Sequence, residues 1–273
     1  MVEMLKGTLL AQEIREKAKK NIKKMKTPPG MAVILVGDDP ASMLYVNLKE
    51  KAAKEVGIYI EKFEFPKNVS ERELTEKIGE LNARDDIHGI LVQLPLPLQD
   101  EDMVISAIDP KKDIDGFHIV NREKQQNDEN CIFPPVALAV ERLIEASLQP
   151  LFGKTAVIIG NSQIFANPLL KLMKRAQIEG AFLPRETGAL SAKTRPADII
   201  VVAVGQKNFL SADMIKEGAI IIDVGTNKDD HKIVGDVSPG AREKAGFVSP
   251  VPGGVGPLTV AYLLTNVIKA AKN

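Results

Sequence analysis

The sequence predicts an α/β fold in which parallel sheets are connected by crossover helices. Short β-branched runs alternate with longer segments of helical period along almost the whole chain. The chain has 273 residues, 44% of them hydrophobic, which is enough for two ordinary domains with their own cores. One polar stretch interrupts the alternation, and the series of strands and helices restarts after it. We therefore expect two α/β domains.

Seven short runs rich in Val and Ile, bounded by turn residues, are predicted strands. They are Met31–Val36, Ile58–Phe65, Ile87–Leu94, Thr155–Ile159, Gly180–Leu183, Asp198–Val204 and Ala219–Val224. Six segments carry apolar residues at helical spacing between Pro, Gly, Asp or Ser residues. They are Ala11–Met25, Ala41–Val56, Glu71–Asn82, Pro135–Ala146, Pro168–Ala176 and Leu258–Ala271. The polar stretch Asn121–Asn130 predicts a domain junction between it and Gly153.

Composition and charge exclude several classes of protein. Lysine and arginine total 36, as do aspartate and glutamate, so no basic surplus exists to neutralise nucleic-acid phosphates. No apolar run reaches about 18 residues, and we expect no membrane span. Cys131 is the single cysteine, which leaves no second thiol for a disulfide or for a CxxC metal or redox pair. We expect a soluble cytoplasmic protein without nucleic-acid or membrane partners.

Lys49 departs from the pattern of the helix predicted over residues 41–56. Asp38 or Asp39, with Pro40, provides suitable helix-start chemistry. At about 100° per residue, Lys49 falls inside an apolar stripe of this helix. Burial there lowers the pKa of a lysine and leaves an amine that moves protons near neutral pH. The alternative is a lysine that snorkels at the edge of the stripe. The stripe comprises Tyr45, Leu48, Ala52, Ala53 and Val56.

Further polar positions in the same half follow predicted strands. Gln93 ends the strand of GILVQLPLP, and ligands of α/β sheets collect at the carboxyl ends of strands. Its amide could orient Lys49, or it could be a satisfied amide at a strand end. In DPKKDIDGF, Asp113 and Asp115 alternate about Ile114, so one of them is a candidate to point inward. Such a carboxylate could bind an amidine-like heterocycle edge through two hydrogen bonds, the alternative being a solvated Asx turn.

The second half offers a candidate dinucleotide site. The strand over residues 155–159 runs into GNSQIFANP and then a helix, and the N–H groups and dipole of such a helix start suit a pyrophosphate. Only Gly160 matches GxGxxG, so a plain crossover turn is the alternative. The next strand is followed by Arg185 and Glu186, where dinucleotide folds bind a 2′-phosphate with Arg or a 2′-hydroxyl with an acid. PVPGGVGP, residues 250–257, allows close backbone approach to a ligand, or is a rigid connector.

Five motifs, in order and spacing, carry a family resemblance. They are VGDDPASMLYVNLKEKAAKEVGI at residues 36–58, GILVQLPLP, KDIDGF, VGDV at residues 234–237, and PVPGGVGPLTV. Together they resemble the bifunctional methylenetetrahydrofolate dehydrogenase/methenyltetrahydrofolate cyclohydrolase family over nearly the whole chain. The resemblance implies two α/β domains around a cleft, the second a Rossmann-like doubly wound parallel sheet. It implies a folate-binding catalytic domain of residues 1–134 plus 258–273, an NAD(P)-binding domain of residues 135–257, and a homodimer through the latter.

The resemblance also implies roles for individual residues. Lys49 is the catalytic lysine, Gln93 tunes it, and Tyr45 stacks on the aminobenzoyl part of the folate. Asp115 holds the pterin, and Ser42 lines the site. Contacts to the folate from the other side of the cleft are expected from Pro252, Gly253 and Gly254. Contacts to the cofactor are expected from Gly160, Asn161, Ser162, Arg185 and Thr226.

Three segments depart from the family pattern. The usual Gly-Arg-Ser turn is Gly-Asn-Ser here, with Asn161 in place of the Arg, so one cationic phosphate contact is missing. Phe165 and Ala166 stand where Val and Gly are usual, and PPVALA at residues 134–139 lacks a hydroxyl and a glycine of the hinge region. Thr226 replaces an Ile, which we expect to be tolerated. We expect looser cofactor binding and altered domain closure.

The resemblance implies an enzyme with two activities. It would oxidise 5,10-methylenetetrahydrofolate and then hydrolyse the methenyl product to 10-formyltetrahydrofolate with the help of Lys49. NADP+ is expected rather than NAD+, because Arg185 directly follows its strand, whereas Glu186 should point away if the extended alternation persists. Two alternatives stay open. One is a Lys/Asp dehydrogenase of the shikimate type, and the other is a folate- or nucleotide-binding paralogue that has lost catalysis.

Overall fold

The computed structural model describes residues 2–127, 129–230 and 232–272. The chain divides into two compact units, and neither unit is continuous in sequence. The three-strand unit comprises Ala11–Pro135 and Val260–Asn273, and the six-strand unit comprises Met1–Leu10 and Val136–Thr259. The expected boundaries at 134 and 258 lie close to these divisions. The N-terminal segment, expected in the first domain, clusters with the six-strand unit because Glu3–Met4 pairs there with Phe247–Val248.

Strands and helices alternate over the described residues. The strands are β1 (Glu3–Met4), β2 (Gly30–Val36), β3 (Tyr59–Phe65), β4 (Gly89–Val92), β5 (Thr155–Gly160), β6 (Glu179–Pro184), β7 (Ile199–Ala203), β8 (Ile220–Asp223), β9 (Asn227–Asp229), β10 (Lys232–Val234) and β11 (Phe247–Val248). The helices are α1 (Gly7–Ile22), α2 (Pro40–Val56), α3 (Glu71–Asn82), α4 (Glu101–Ser106), α5 (Ile119–Gln126), α6 (Pro135–Glu145), α7 (Gln163–Arg175), α8 (Leu190–Thr194), α9 (Pro239–Lys244) and α10 (Val255–Ala270).

In the three-strand unit, the parallel sheet has the order β3-β2-β4, and β2 is buried along its whole length. Its alternate side chains enter two different cores. Val33 and Leu35 pack with apolar residues of α1, α2 and α10, whereas Ile34 and Val36 pack with apolar residues of α3 and α4. A central strand covered on both faces reads as one continuous apolar run, which is why β2 was recognisable from sequence.

In the six-strand unit, the sheet has the order β1-β11-β8-β7-β5-β6, and every neighbouring pair is parallel. The register aligns Gly160 with Ala203, and Val202 with Asp223, so β5, β7 and β8 finish together at one edge. One face is covered by a core that includes residues of β5, β7, β8 and β11. Loops that follow these strands therefore meet at the carboxyl edge, where α/β sheets bind ligands.

Two segments differ from their sequence-based predictions. Helix α7 starts at Gln163 instead of Pro168, because Ser162 caps it and Pro168 lies inside the helix. Residues 121–126 of the polar stretch, for which no helix was predicted, belong to α5, where the buried Asn121 and Gln125 make hydrogen bonds. The division between residues 135 and 136 lies between this stretch and Gly153, the interval in which the junction was predicted. No helix of the described residues is both long and apolar enough to cross a membrane.

Candidate active site

Helix α2 begins as the sequence predicts. The carboxylate of Asp39 accepts a hydrogen bond of 2.8 Å from the N–H of Ser42, and Pro40 is the first helical residue. The helix ends at Gly57, whose φ of 94° is a left-handed conformation that suits glycine. These caps set the first and last residues of α2, and therefore the helical turn on which Lys49 lies.

Lys49 lies at the centre of the buried face of α2. At about 100° per residue, Ala52 and Val46 border this face on opposite sides of Lys49. The face differs from the predicted stripe, because Leu48 is 45% exposed whereas Val46 is buried. Lys49 is only 8% exposed, so its amine does not snorkel into solvent at the edge of the buried face. The face comprises Ser42, Val46, Lys49, Ala52, Ala53 and Val56.

Gln93, directly after β4, holds the Lys49 amine. Its Oε1 accepts a hydrogen bond of 2.8 Å from Nζ of Lys49, and its Nε2 donates to the carbonyl of Leu94 at 2.7 Å. The second bond orients the amide, so that its oxygen is the atom presented to the amine. The Gln93 N–H also donates to the carbonyl of Ile34 at 2.9 Å, which extends the β2–β4 ladder. The contact expected between Gln93 and Lys49 is therefore present.

Asp113 and Asp115 differ sharply in their surroundings. The buried Asp113 carboxylate accepts hydrogen bonds from the N–H groups of Gly116 and His118 at 3.0 and 2.9 Å, and from Nδ2 of Asn121 at 2.9 Å. It is a structural acceptor and not part of a solvated turn. Asp115 is half-buried, and its carboxylate accepts no hydrogen bond within residues 2–127, 129–230 and 232–272. Asp115 is thus the carboxylate available to a ligand.

Burial moves the pKa values of Lys49 and Asp115 in opposite directions. It lowers the pKa of Lys49, and the negative charge of Asp115 partly offsets this change. Burial raises the pKa of Asp115 to about 6. The positive charge of Lys49 opposes this rise, and the negative charge of Asp113 adds to it. The amine therefore releases a proton more readily, and the carboxylate accepts one more readily, than either does in water. This combination is typical of groups that transfer protons.

Ser42 and Tyr45 precede Lys49 on the same side of α2. Residues three and four positions apart are neighbours on a helix surface, so Ser42, Tyr45 and Lys49 form one strip. Ser42 is buried and Tyr45 is half-buried. Beside the amine, the strip offers a hydroxyl and an aromatic ring, which suits a ligand with an aromatic part.

The turn after β5 presents the start of α7. Ser162 accepts a hydrogen bond from the N–H of Ile164 at 3.2 Å, and residues 161–164 are exposed. The N-terminus of a 13-residue helix is thereby open to an anion such as a diphosphate. Asn161 donates through Nδ2 to the carbonyl of Val204 at 3.1 Å, which ties the turn after β5 to the loop after β7.

Two buried aspartates, which sequence reasoning did not select, organise the adjacent loops. Asp236 accepts three hydrogen bonds of 2.8, 3.0 and 2.8 Å from the N–H groups of residues 204–206, after β7. Asp223, at the end of β8, accepts bonds from the N–H groups of Gly225, Asp236 and Val237 at 3.0, 3.0 and 3.1 Å. The loops after β7 and β8 and the residues after β10 are therefore fastened together by two carboxylates.

Two glycines make room for these carboxylates. A Cβ on Gly225 would lie 2.2 Å from the Asp236 carboxylate, and a Cβ on Gly235 would lie 1.9 Å from that of Asp223. Each aspartate thus occupies the space left by the glycine of the other segment. Burial raises the pKa of Asp223 to about 6, although N–H donors oppose the rise. The signal in the sequence was the pair of motifs DVG and VGDV, each of which places an aspartate near a glycine.

The region after β6 differs from its prediction. Glu186 does not point away from Arg185, because Nε of Arg185 donates to Oε1 of Glu186 at 2.7 Å. Extended alternation ends here, since the chain turns and the N–H of Thr187 donates to the carbonyl of Pro184 at 2.9 Å. Any 2′-phosphate at Arg185 therefore competes with a carboxylate already bound to the guanidinium.

The remaining predicted residues, Pro252 to Gly254 and Thr226, also lie in the six-strand unit. The carbonyl of Gly253, a residue with φ of 105°, accepts from the N–H of Thr8 at 3.1 Å. A Cβ on Gly7 would lie 1.9 Å from the carbonyl oxygen of Gly254, so the loop packs tightly on the start of α1. Thr226 is exposed between β8 and β9. A folate contact by this loop and a cofactor contact by Thr226 stay predictions.

Both halves of the chain match models of one family. Residues 5–115 match the catalytic domain of tetrahydrofolate dehydrogenase/cyclohydrolase, and residues 134–273 match its NAD(P)-binding domain. This chain belongs to the tetrahydrofolate dehydrogenase/cyclohydrolase family. The bifunctional protein FolD of Bacillus licheniformis, a curated relative, is 44% identical over 266 residues, which cover 96% of this chain and 92% of that protein.

Solved structures support membership of the tetrahydrofolate dehydrogenase/cyclohydrolase family. The bifunctional enzyme FolD from Campylobacter jejuni is 41% identical, with a TM-score of 0.95 over 100% of this chain and 99% of that one. The enzyme from Trypanosoma brucei, complexed with NADP cofactor and inhibitor, is 33% identical, with a TM-score of 0.94 over 99% and 97%. Shikimate 5-dehydrogenase from Thermus thermophilus, 15% identical with a TM-score of 0.53 over 89% and 98%, shares only the fold.

The residues that depart from the pattern of the tetrahydrofolate dehydrogenase/cyclohydrolase family are accommodated in the turn and helices where they lie. Asn161 is tied to a carbonyl of the protein, and Ala166 is fully buried in α7. A Cβ on Gly160 would lie 3.9 Å from the ring of Phe165, so this bulkier residue packs beside the turn. Helix α6 starts at Pro135, and proline suits the first position of a helix.

Proposed function

We propose that this protein oxidises 5,10-methylenetetrahydrofolate with NADP+ and hydrolyses the methenyl product to 10-formyltetrahydrofolate. The observation that carries the proposal is the buried amine of Lys49, bound to Gln93 at 2.8 Å and influenced by the charge of Asp115, in a chain with both family domains. A buried lysine with a lowered pKa is uncommon outside functional sites. The two activities would use one folate site in the three-strand unit.

The dehydrogenase step requires alignment more than acid or base catalysis. NADP+ supplies the hydride acceptor for the methylene carbon. The exposed start of α7, capped by Ser162, fits the diphosphate, and Gly160 precedes it. Arg185 would bind the 2′-phosphate after leaving Glu186. Asp223 and Asp236 would keep the neighbouring loops in place.

The cyclohydrolase step requires proton transfer, which we assign to Lys49. Water adds to the methenyl carbon, and the neutral amine accepts the proton that this water loses. The bond from that carbon to one of its two nitrogens then breaks as the new hydroxyl group becomes the formyl carbonyl. The ammonium of Lys49 gives its proton to the departing nitrogen, and the hydroxyl proton is released to solvent. Gln93 would keep the amine directed towards the reacting carbon through its 2.8 Å hydrogen bond. The formyl group stays on the other nitrogen.

Substrate binding would depend on the side chains around the amine. The Asp115 carboxylate can accept two hydrogen bonds from the N–H groups of a pterin edge. Tyr45 would stack on the aminobenzoyl group, and Ser42 would line the site beside it. The half-buried position of Asp115 makes these bonds stronger than they would be in water.

We also infer a homodimer in the cytoplasm. Leu148 and Phe152, which precede β5 in the six-strand unit, are 88% and 76% exposed, and exposed apolar surface often marks an interface. Cys131 is the single cysteine of the sequence and is buried, so the chain has no second thiol with which to form a disulfide, which suits a reducing compartment. Light scattering of the wild type and of a Leu148→Ser/Phe152→Ser variant would test the dimer, with a monomeric variant expected.

An absorbance assay tests the proposed function. The purified protein is incubated with 5,10-methylenetetrahydrofolate and NADP+, and formation of NADPH and of the methenyl product is followed. In a second assay, disappearance of added methenyltetrahydrofolate is compared with its spontaneous hydrolysis. Activity in both assays supports the proposal, whereas binding of folate and NADP+ without turnover would support a paralogue that has lost catalysis. Oxidation of shikimate instead would support the other alternative.

A further inference from the structure

Buried amides hold the peptide groups on both sides of Asp115. Nδ2 of Asn266, on α10, donates to the carbonyl of Ile114 at 2.8 Å. Nε2 of Gln125, on α5, donates to the carbonyl of Gly116 at 2.9 Å. Asn266 and Gln125 are 4% and 1% exposed, so water does not compete effectively for these bonds.

The same two amides bind a second segment of the chain. Asn266 also donates to the carbonyl of Phe133 at 2.9 Å, and Gln125 also donates to that of Ile132 at 2.8 Å. Each amide therefore joins the loop of Asp115 to residues 132–133. A Cβ on Gly116, whose φ is 72°, would lie 2.9 Å from the carbonyl oxygen of Ile132, so the two segments are in close contact.

The position of Asp115 does not depend on hydrogen bonds of its own carboxylate. Within the described ranges 2–127, 129–230 and 232–272, its carboxylate accepts no hydrogen bond. Its position is therefore set by the backbone on either side. The side chain of Ile114 packs in the core with residues of α10, and the carbonyls of Ile114 and Gly116 are bound by Asn266 and Gln125.

We propose that Asn266 and Gln125 are positioning residues for Asp115, which set the affinity for the folate heterocycle through the loop that carries this carboxylate. The inference rests on the proposed function, because it assigns the folate heterocycle to Asp115. A displacement of about 1 Å is enough to weaken a charge-assisted hydrogen bond substantially. Neither residue touches the reacting atoms in this scheme.

The first test replaces Asn266 by leucine, which has a similar volume and no donor. We expect Asn266→Leu to raise the KM for methylenetetrahydrofolate about 10-fold, since charge-assisted bonds contribute about 1.5–3 kcal/mol. The KM for NADP+ should be unchanged. Lys269→Met is the matched control, because Lys269 lies on the same helix and its Nζ donates to the carbonyl of Cys131 at 2.7 Å, but not to the loop of Asp115. We expect its folate KM to equal that of the wild type.

A double-mutant cycle separates positioning from general destabilisation. If Asn266 acts through Asp115, adding Asn266→Leu to Asp115→Ala should leave the folate KM unchanged, since the carboxylate is already absent. Multiplied losses would overturn the proposal, as would a wild-type KM in folded Asn266→Leu. Gln125→Met provides the same test on the other side of the loop if Asn266→Leu does not fold.

The pH profile gives a readout that a purely structural role would not change. Displacement of Asp115 removes the charge that opposes the lowering of the Lys49 pKa. In the pH profile of the hydrolysis rate, the inflection caused by ionisation of Lys49 should therefore move to lower pH in Asn266→Leu. It should stay in place in Lys269→Met. An inactive wild type would overturn the proposed function, whereas an active wild type with an unaffected Asn266→Leu overturns only the positioning role.

Discussion

The Nζ atom of Lys49 donates a hydrogen bond of 2.8 Å to Oε1 of Gln93, a residue 44 positions further along the chain. The bond joins α2 to the end of β4, so the amine is placed by a strand of the sheet and by a helix that packs on that sheet. A lysine held in this way loses few rotamers when it reacts, and burial has already lowered its pKa.

Replacement of Lys49 tests the proton-transfer role. We expect Lys49→Ala to lower the rate of methenyltetrahydrofolate hydrolysis by roughly 10²–10⁴-fold, the usual contribution of a general acid or base. Lys51→Ala, on the exposed side of the same helix, should retain wild-type activity. NADP+ affinity should be unchanged in both. Steady-state kinetics would sink the assignment if Lys49→Ala kept most of its activity.

Replacement of Gln93 tests the control of the amine. Gln93→Glu puts a carboxylate at the acceptor position and therefore raises the pKa of Lys49. Because the hydrolysis uses the neutral amine, its pH profile should move to higher pH in this variant. Gln12→Glu, an exposed change on α1, is the control. A pH profile identical to that of the wild type would show that Gln93 does not influence the reacting lysine.

Asp115→Ala should weaken binding of a folate analogue about 10- to 100-fold, since about 1.5–3 kcal/mol of charge-assisted hydrogen bonding is lost. Titration calorimetry measures this change. From the sequence, Asp113→Ala is expected to have a much smaller effect, but the buried Asp113 holds the loop through three hydrogen bonds, so its loss would also disturb Asp115. Asp102→Ala, an exposed change, is the better comparison. Equal losses in Asp102→Ala and Asp115→Ala would contradict the assignment.

Asp115→Asn should make the folded protein more stable at neutral pH. The pKa of Asp115 is raised to about 6 in the folded state, so the folded state binds its proton more tightly than the unfolded state. The stability from this group is present at low pH and is lost as the pH rises through about 6. Asparagine does not ionise, and the variant should gain about 3 kcal/mol at most above that pH.

Thermal melts across pH measure this effect. The midpoint of Asp115→Asn should exceed that of the wild type by a few degrees above pH 7, with the gap closing towards about pH 4. A constant gap at all pH values would indicate a change in packing instead of ionisation.

Arg185 and Glu186 should set the choice of dinucleotide together. Glu186→Gln removes the carboxylate that binds the Arg185 guanidinium, so we expect kcat/KM for NADP+ to rise several-fold. Arg185→Ala should shift the preference towards NAD+. Glu179→Gln, at the opposite end of β6, is the control. The ratio of kcat/KM values for the two dinucleotides checks this prediction, and an Arg185→Ala variant with the wild-type ratio would contradict it.

Signals that act over a few residues were readable from the sequence. Pro40 and its preceding aspartates marked the start of α2, and the apolar run of β2 marked a central strand. The rotation of α2 was not readable, because Leu48 and Val46 are equally apolar and only the packing of the sheet decides that Val46 is buried. The predicted stripe therefore contained Lys49, Ala52, Ala53 and Val56 correctly, but included the exposed Leu48 and omitted Val46.

Side-chain contacts that cross a turn or a loop were not readable from the sequence either. Alternation about Ile114 could not distinguish Asp113 from Asp115, because the partners of Asp113 follow it in a turn and on α5. Asp223 and Asp236 were overlooked for the same reason, because each carboxylate fits into space left by a glycine of the other segment, Gly235 for Asp223 and Gly225 for Asp236. Buried polar residues of this kind carry no apolar signal.

The interleaving of the two units affects how the protein can be made. Helix α10 contributes Leu263, Leu264 and Val267 to the core that also contains Val33 of β2. A polypeptide that ends at residue 135 therefore lacks the α10 side chains of this core and exposes apolar surface, both as an isolated fragment and on the ribosome. Such contacts, more than 200 residues apart in sequence, close late and slow the search for the native state. The Lys49 site matures only after nearly the entire chain has been synthesised.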